Sequence, residues 1–120
     1  MSIASVGNFI ALWLPDVLGL VMLGAGAVNF AGPDTVRESF ARWGYPAGFH
    51  RLTGGLEVAA GLLLLIPATS RAGAIVSLTI MLAAVATLIR HRDWGHIPGA
   101  LALTATAAAV VAIGGQIWSG

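Results

Sequence analysis

The chain has 120 residues, of which 58% are hydrophobic and 9% charged, with a mean hydropathy of +0.89. Six arginines, five acids and no lysine are too few charges for a water-exposed surface, because a soluble domain carries about 25% charged residues and large apolar patches aggregate. A soluble domain and a disordered chain are thereby excluded, a net charge of +1 gives no footprint for nucleic acid, and the absence of cysteine removes disulfide, thiolate and CxxC chemistry.

What remains is an all-α integral membrane protein. A helix crossing the hydrocarbon needs about 20 mostly apolar residues, and the chain offers such windows at Phe9–Phe30, Pro46–Ile66, Ala72–Ile89 and Pro98–Trp118. They predict one transmembrane domain over 1–120, a four-helix bundle of antiparallel up-down topology, because the gaps between windows are short. The first window lacks a positive n-region and continues through Asp16, so it reads as a retained helix rather than a signal peptide. Pro15 lies early in it, which places the helix start near Trp13.

Asn29 closes the first window, and a stripe of Asp16, Gly19, Leu23 and Gly26 leads toward it. Pro33-Asp34-Thr35 then opens a short amphipathic helix over 34–43, with Arg37, Glu38 and Arg42 among Val36, Phe40 and Trp43. Such a composition suits a helix lying at the membrane interface.

The second window is the most informative. Pro46 fits the first turn of a helix, and His50, Gly54, Glu57 and Gly61 follow at spacings of four, three and four, on one face. Glu57 falls near mid-membrane, where a carboxylate costs several kcal/mol unless paired, hydrated or protonated. The flanking glycines admit a backbone, a water or a ligand. On this reading Glu57 and His50 are the catalytic or proton-exchanging candidates, and Asn29, Gly54 and Gly61 are candidate ligand contacts. A purely structural carboxylate, bridged to a neighbouring helix, is the competing reading.

Pro67 ends the second window, and Arg71 begins the third. Asp16 and Arg71 are expected to form a structural ion pair joining the first and third spanning helices. The third window carries Thr79, Ala83, Thr87 and His91 at i, i+4 spacing, with Thr87 and His91 ending near the same side as His50. The fourth carries the small-residue stripe Ala100, Thr104, Ala108 and Ala112, which favours close packing in lipid.

Arginine placement sets an expected orientation. Arg37, Arg42, Arg51, Arg90 and Arg92 lie in or beside the first and third connections, against Arg71 alone on the other side. The positive-inside rule then puts those two connections in the cytoplasm and both termini outside, in a plasma (inner) membrane. Trp43, Tyr45 and Trp94 on one side, and Trp13 and Trp118 on the other, fit two aromatic belts. Trp43-Gly44-Tyr45-Pro46-Ala47-Gly48 also resembles Trp94-Gly95-His96-Ile97-Pro98-Gly99. Either each is an interfacial anchor before a proline helix start, or a helical hairpin has been duplicated. His50, His91, His96 and Glu57 lack the tight spacing of a metal motif, so no metal is expected. No phosphate cradle, nucleophile elbow or carboxylate pair is readable.

The run from Phe40 to Ile66, with Trp43-Gly44-Tyr45-Pro46 followed by Gly54-Gly55-Leu56-Glu57-Val58-Ala59-Ala60-Gly61, resembles the DoxX-like family. The stretch Met81-Leu82-Ala83-Ala84 is similar to that family's third helix, and the likeness runs from about Gly24 to Gly115. It implies a four-helix membrane protein whose relatives are associated with quinone-linked thiosulfate oxidation, membrane oxidoreductase complexes and, more distantly, receptor-assembly chaperones. Glu57 is the residue the resemblance carries over, without a catalytic role attached.

Three functions are open on the sequence. The bundle binds a small lipophilic molecule, such as a quinone or isoprenoid, with Glu57 exchanging a proton and His50 and Asn29 orienting the polar end. Alternatively it is a non-catalytic accessory or assembly subunit for a membrane or oxidoreductase partner. The third is a small proton-coupled transporter working as a homo-oligomer. Quinone is the one cofactor candidate, the lipid bilayer is the expected surrounding, and whether the chain is an enzyme is left open.

Overall fold

The computed structural model describes residues 2–117, and their side chains as far as residue 113. The described residues form helices and short connections with no strand among them: α1 (Ile3–Ala31), α2 (Asp34–Arg42), α3 (Phe49–Leu65), α4 (Ser70–Arg90) and α5 (Ile97–Ile117), with 3-10 turns at Pro67–Thr69 and Trp94–His96. Among the described residues, three stretches are long and apolar enough to cross a membrane: Ile3–Ala31, Pro67–Arg90 and Trp94–Ile113. Trp118, expected in the outer aromatic belt, lies outside the described residues.

The helix starts differ from those read in the sequence. The first helix begins not near Trp13 but at Ile3, capped by the Ser2 hydroxyl accepting from the Ser5 N–H, and Pro15 sits inside it. Proline removes one backbone hydrogen bond, a loss that membrane helices tolerate where neighbours make up the contacts. Pro46 does not open the second window's helix. Gly48, in the left-handed region at φ 86°, interrupts the chain there, and α3 starts at Phe49.

The long helices pack as a ring in which α1 lies on α3, α3 on α4 and α4 on α5, while α5 returns to touch α1. Leu18 and Met22 of α1, Ala60 and Leu64 of α3, Ala74 and Met81 of α4, and Ala107 and Val110 of α5 fill the centre. Close approach comes from small residues. A Cβ on Gly61 would lie 2.8 Å from the Gly19 carbonyl, and one on Gly73 would lie 2.7 Å from the Leu64 amide. The outward positions are apolar and exposed, among them Phe9, Leu52, Leu62, Leu82 and Leu101. Such an inside-out distribution is stable where the solvent is lipid.

The expected ion pair between Asp16 and Arg71 is not formed. Ion pairs among the described residues are Arg37–Asp34, Arg42–Asp93 and His96–Asp93. The C-terminal half of α3 packs against both helices: Gly61 and Leu64 meet α1 at Gly19, and Ala60 and Leu64 meet α4 at Gly73. Arg71 is left exposed, and Asp16 half-buried.

Candidate functional site at the α2 end of the helix ring

Two turns of the same design shape this end. After α2, the Tyr45 amide donates to the Phe40 carbonyl and the Gly44 amide to the Ala41 carbonyl, with Gly44 left-handed at φ 84°. After α4, the Asp93 amide donates to Leu88 and the Arg92 amide to Ile89, with Arg92 taking the left-handed position at φ 54°. Both are Schellman caps, a motif in which the residue after the left-handed one folds back over the last turn. The first cap brings the Tyr45 ring to 5.8 Å from Phe40. The second delivers the Asp93 carboxylate to the side of the molecule where α2 lies.

Asp93 joins the two connections. Its Oδ2 accepts from the Trp43 indole N–H and from the Arg42 guanidinium, each at 3.3 Å, and its Oδ1 accepts from His96 Nδ1 at 2.8 Å. The His96 hydrogen bond holds the Asp93 carboxyl below the usual carboxylate range, and the Arg42 and Trp43 donors act in the same direction. Phe40 is the centre of an aromatic cluster, with ring centroids 5.3 Å from Trp43 and 6.3 Å from Phe49; Tyr45 and Phe49 stack at 4.5 Å.

Behind this cluster lies a cavity of 390 Å³, walled by α3, α4 and α5 and reached by Asn29 at the end of α1. Its aromatic end is made by Phe40, Trp43, Tyr45 and Phe49, and Glu57 and Asn29 form a polar spot in an otherwise largely aliphatic wall. Glu57 is 3% exposed, and its Oε1 accepts from Asn29 Nδ2 at 2.5 Å. The Asn29 carbonyl in turn accepts from His50 Nδ1 at 2.8 Å. A single residue of α1 thus ties its last turn to α3 twice, two helical turns apart. The carbonyl would otherwise be an orphan of the helix end, so His50 serves as a side-chain cap.

A family model for the DoxX-like family matches residues 14–110. The chain belongs to the DoxX-like family. No curated protein and no solved structure matches it. The span matched by the DoxX-like model takes in every side chain that lines the cavity.

The residues singled out in this DoxX-like sequence now have definite places. Glu57, Asn29 and Thr87 come together on the cavity. Thr87 gives its own hydroxyl proton to the Ala83 carbonyl at 2.9 Å, so the Tyr45 phenol donates to it across 2.5 Å. His50 is buried against Gly32 and the end of α1, away from the cavity wall. Gly54 and Gly61, expected to admit a ligand, are covered by α1 instead: a Cβ at Gly54 would lie 2.6 Å from the Gly26 carbonyl. The glycine face is where one helix backbone meets another, and Glu57 reaches past it to the cavity. His91 caps α4 and points to an exposed position, and His96 lines the cavity in its place. Among the described residues, no three His, Asp or Glu side chains are grouped to hold a metal ion.

Sequence reasoning did not bring Phe49 or Asp93 to the site, read Phe40 only as part of the interfacial helix, weighed His96 only as a metal ligand, and gave Trp43 and Tyr45 no place on a cavity. The i, i+3 pairing of Phe40 with Trp43 was a usable signal of one aromatic face. The two Trp-Gly steps occupy different places: Trp43 caps α2 before a left-handed Gly44, whereas Trp94 opens a 3-10 turn.

Proposed function

We propose that this DoxX-like chain is a multi-pass membrane protein that binds a small lipophilic molecule, with the polar end of the ligand against Glu57. The observation carrying this reading is the cavity itself. Its 390 Å³ falls within the 300–1,000 Å³ of typical ligand pockets, and its wall is apolar and aromatic with few polar groups. Glu57 supplies a proton-exchanging or charge-pairing group, and Asn29 fixes the carboxyl in place. Quinones and isoprenoids are the neutral candidates of the class, and a quinone would tie the chain to a membrane oxidoreductase system.

The test is occupancy. Released from native membranes in a mass spectrometer, the protein should carry a small lipophilic adduct. Ala84→Phe, which places a ring in the cavity wall, should remove it without unfolding the helices. A wild-type protein that flies bare from membranes, or an adduct that survives Ala84→Phe, would speak for the accessory-subunit reading.

We also take α3 as a fourth crossing. At 17 residues and about 1.5 Å per residue, it is short for the hydrocarbon, but its flanking turns extend it and it stands between two spanning helices. The arginine-rich connections are then cytoplasmic, with α2 at the interface. Since the chain has no cysteine, single cysteines report cleanly. Arg37→Cys and Arg92→Cys should react with an impermeant maleimide from the cytoplasmic side, and Arg71→Cys from the other. Labelling of Arg37→Cys and Arg71→Cys from one side would rule out the fourth crossing.

A further inference from the structure

The geometry points to a cationic ligand: the cavity is built for an apolar molecule bearing an ammonium group, a hydrophobic amine or quaternary ammonium, rather than for a neutral quinone. The inference rests on the lipophile-binding reading above and narrows it to a ligand class.

Charge comes first. Glu57 lines the cavity, and none of the arginines does. The other ionisable groups on the wall are the Tyr45 phenol, whose proton goes to Thr87, and His96, whose ring is already paired with the Asp93 carboxylate. Any positive charge on His96 is therefore met locally. The Glu57 carboxylate receives one hydrogen bond, at Oε1, and its Oε2 has no partner among the described residues. That oxygen is also not sealed away as a buried orphan. A cation in the cavity would supply the missing counter-charge; among the described residues the wall offers none beyond His96, which Asp93 already holds.

The hydrogen-bond inventory agrees. The Tyr45 proton goes to Thr87, the Thr87 proton to the Ala83 carbonyl, and the Trp43 indole proton to Asp93. One Asn29 amide proton goes to Glu57. What these groups still offer is mostly lone pairs: Glu57 Oε2, Asn29 Oδ1 and the two hydroxyl oxygens. The donors left on the wall are the second Asn29 amide proton, the Thr53 hydroxyl and, in its protonated form, His96 Nε2, since only Nδ1 is taken by Asp93. A quinone carbonyl accepts only and needs donors, whereas a cation meets lone pairs, through N–H bonds if it is an amine and through its charge alone if it is quaternary. Aromatic faces carry negative potential and attract cations, and Phe40, Trp43, Tyr45 and Phe49 gather at one end of the cavity. They suit either the cation itself or the aryl portion of an amine.

The experiment compares shape-matched probes that differ in charge. Benzyltrimethylammonium and its uncharged carbon isostere neopentylbenzene are titrated calorimetrically into the protein in nanodiscs, with empty nanodiscs subtracted, beside a short-chain benzoquinone. The cation should bind at least tenfold more tightly than the hydrocarbon and the quinone, and Glu57→Gln should erase that preference while leaving hydrocarbon binding in place. The wild-type comparison stands even if Glu57→Gln fails to fold. Equal or tighter binding of neopentylbenzene or the quinone, or a preference that survives Glu57→Gln, overturns the cation inference and leaves lipophile binding intact. Failure of all three probes to bind saturably overturns both.

Discussion

Gly54→Ala should destabilise the protein by about 1–3 kcal/mol, the usual cost of forcing a methyl group into a packed interface, whereas Gly55→Ala one residue along should stabilise it. The contrast follows from position on α3. A Cβ at Gly54 would lie 2.6 Å from the Gly26 carbonyl and 2.8 Å from the Phe30 Cα, while one at Gly55 has nothing within 4 Å. At Gly54 the obstacles are backbone atoms of α1, so no rotamer change relieves the clash and the two helices must separate. Separation also draws Asn29 away from both Glu57 and His50, since the three contacts share the last turn of α1. At Gly55 alanine gains about 0.5–1 kcal/mol of helix propensity without a steric cost. Thermal unfolding followed by near-ultraviolet circular dichroism in one detergent measures both. Equal midpoints for the two variants would mean that α1 and α3 do not approach as described.

That glycine face shows what could and could not be read from the sequence. The spacing of His50, Gly54, Glu57 and Gly61 correctly gathers them on one helix face, because helical periodicity alone decides it. What the face meets depends on the partner helix, and Gly19 and Gly26 of α1, rather than a ligand, turn out to oppose it. The scarcity of charge made Glu57 conspicuous for a general reason: every carboxylate in an apolar segment has a cost to explain. Its partner Asn29 lies 28 residues away, and no local rule links positions so distant. The Asp16–Arg71 pairing failed for the same cause. It assumed adjacency of α1 and α4, and the ring order places α3 between them. Asp93, which collects Trp43, Arg42 and His96, is the hardest case, since its position is set by a left-handed arginine that sequence patterns rarely flag.

Asn29 and Glu57 should show a coupling free energy of about 2–3 kcal/mol in a double-mutant cycle built from Asn29→Ala, Glu57→Leu and the pair. Asn29→Ala alone leaves the carboxyl oxygen Oε1 without its donor in a site where Glu57 is 3% exposed. An unsatisfied buried group costs about 1–3 kcal/mol, and more when it is charged. Glu57→Leu removes the group that needs a partner. In the double variant Asn29→Ala therefore costs little, because an alanine faces a leucine across α1 and α3. The magnitude bears on the chemistry. Hydrogen bonds between neutral side chains of membrane helices couple by only about 0.6 kcal/mol on average, with a maximum near 1.7. A value well above that range requires a charged member, and Glu57 is the one ionisable partner. A carboxylate held by Asn29 and lacking any arginine on the cavity wall is then a standing demand for a cation. Coupling near the neutral average, measured by reversible unfolding in mixed micelles, would instead make Glu57 a neutral hydrogen-bonding knot between two helices, with its proton available to a neutral ligand.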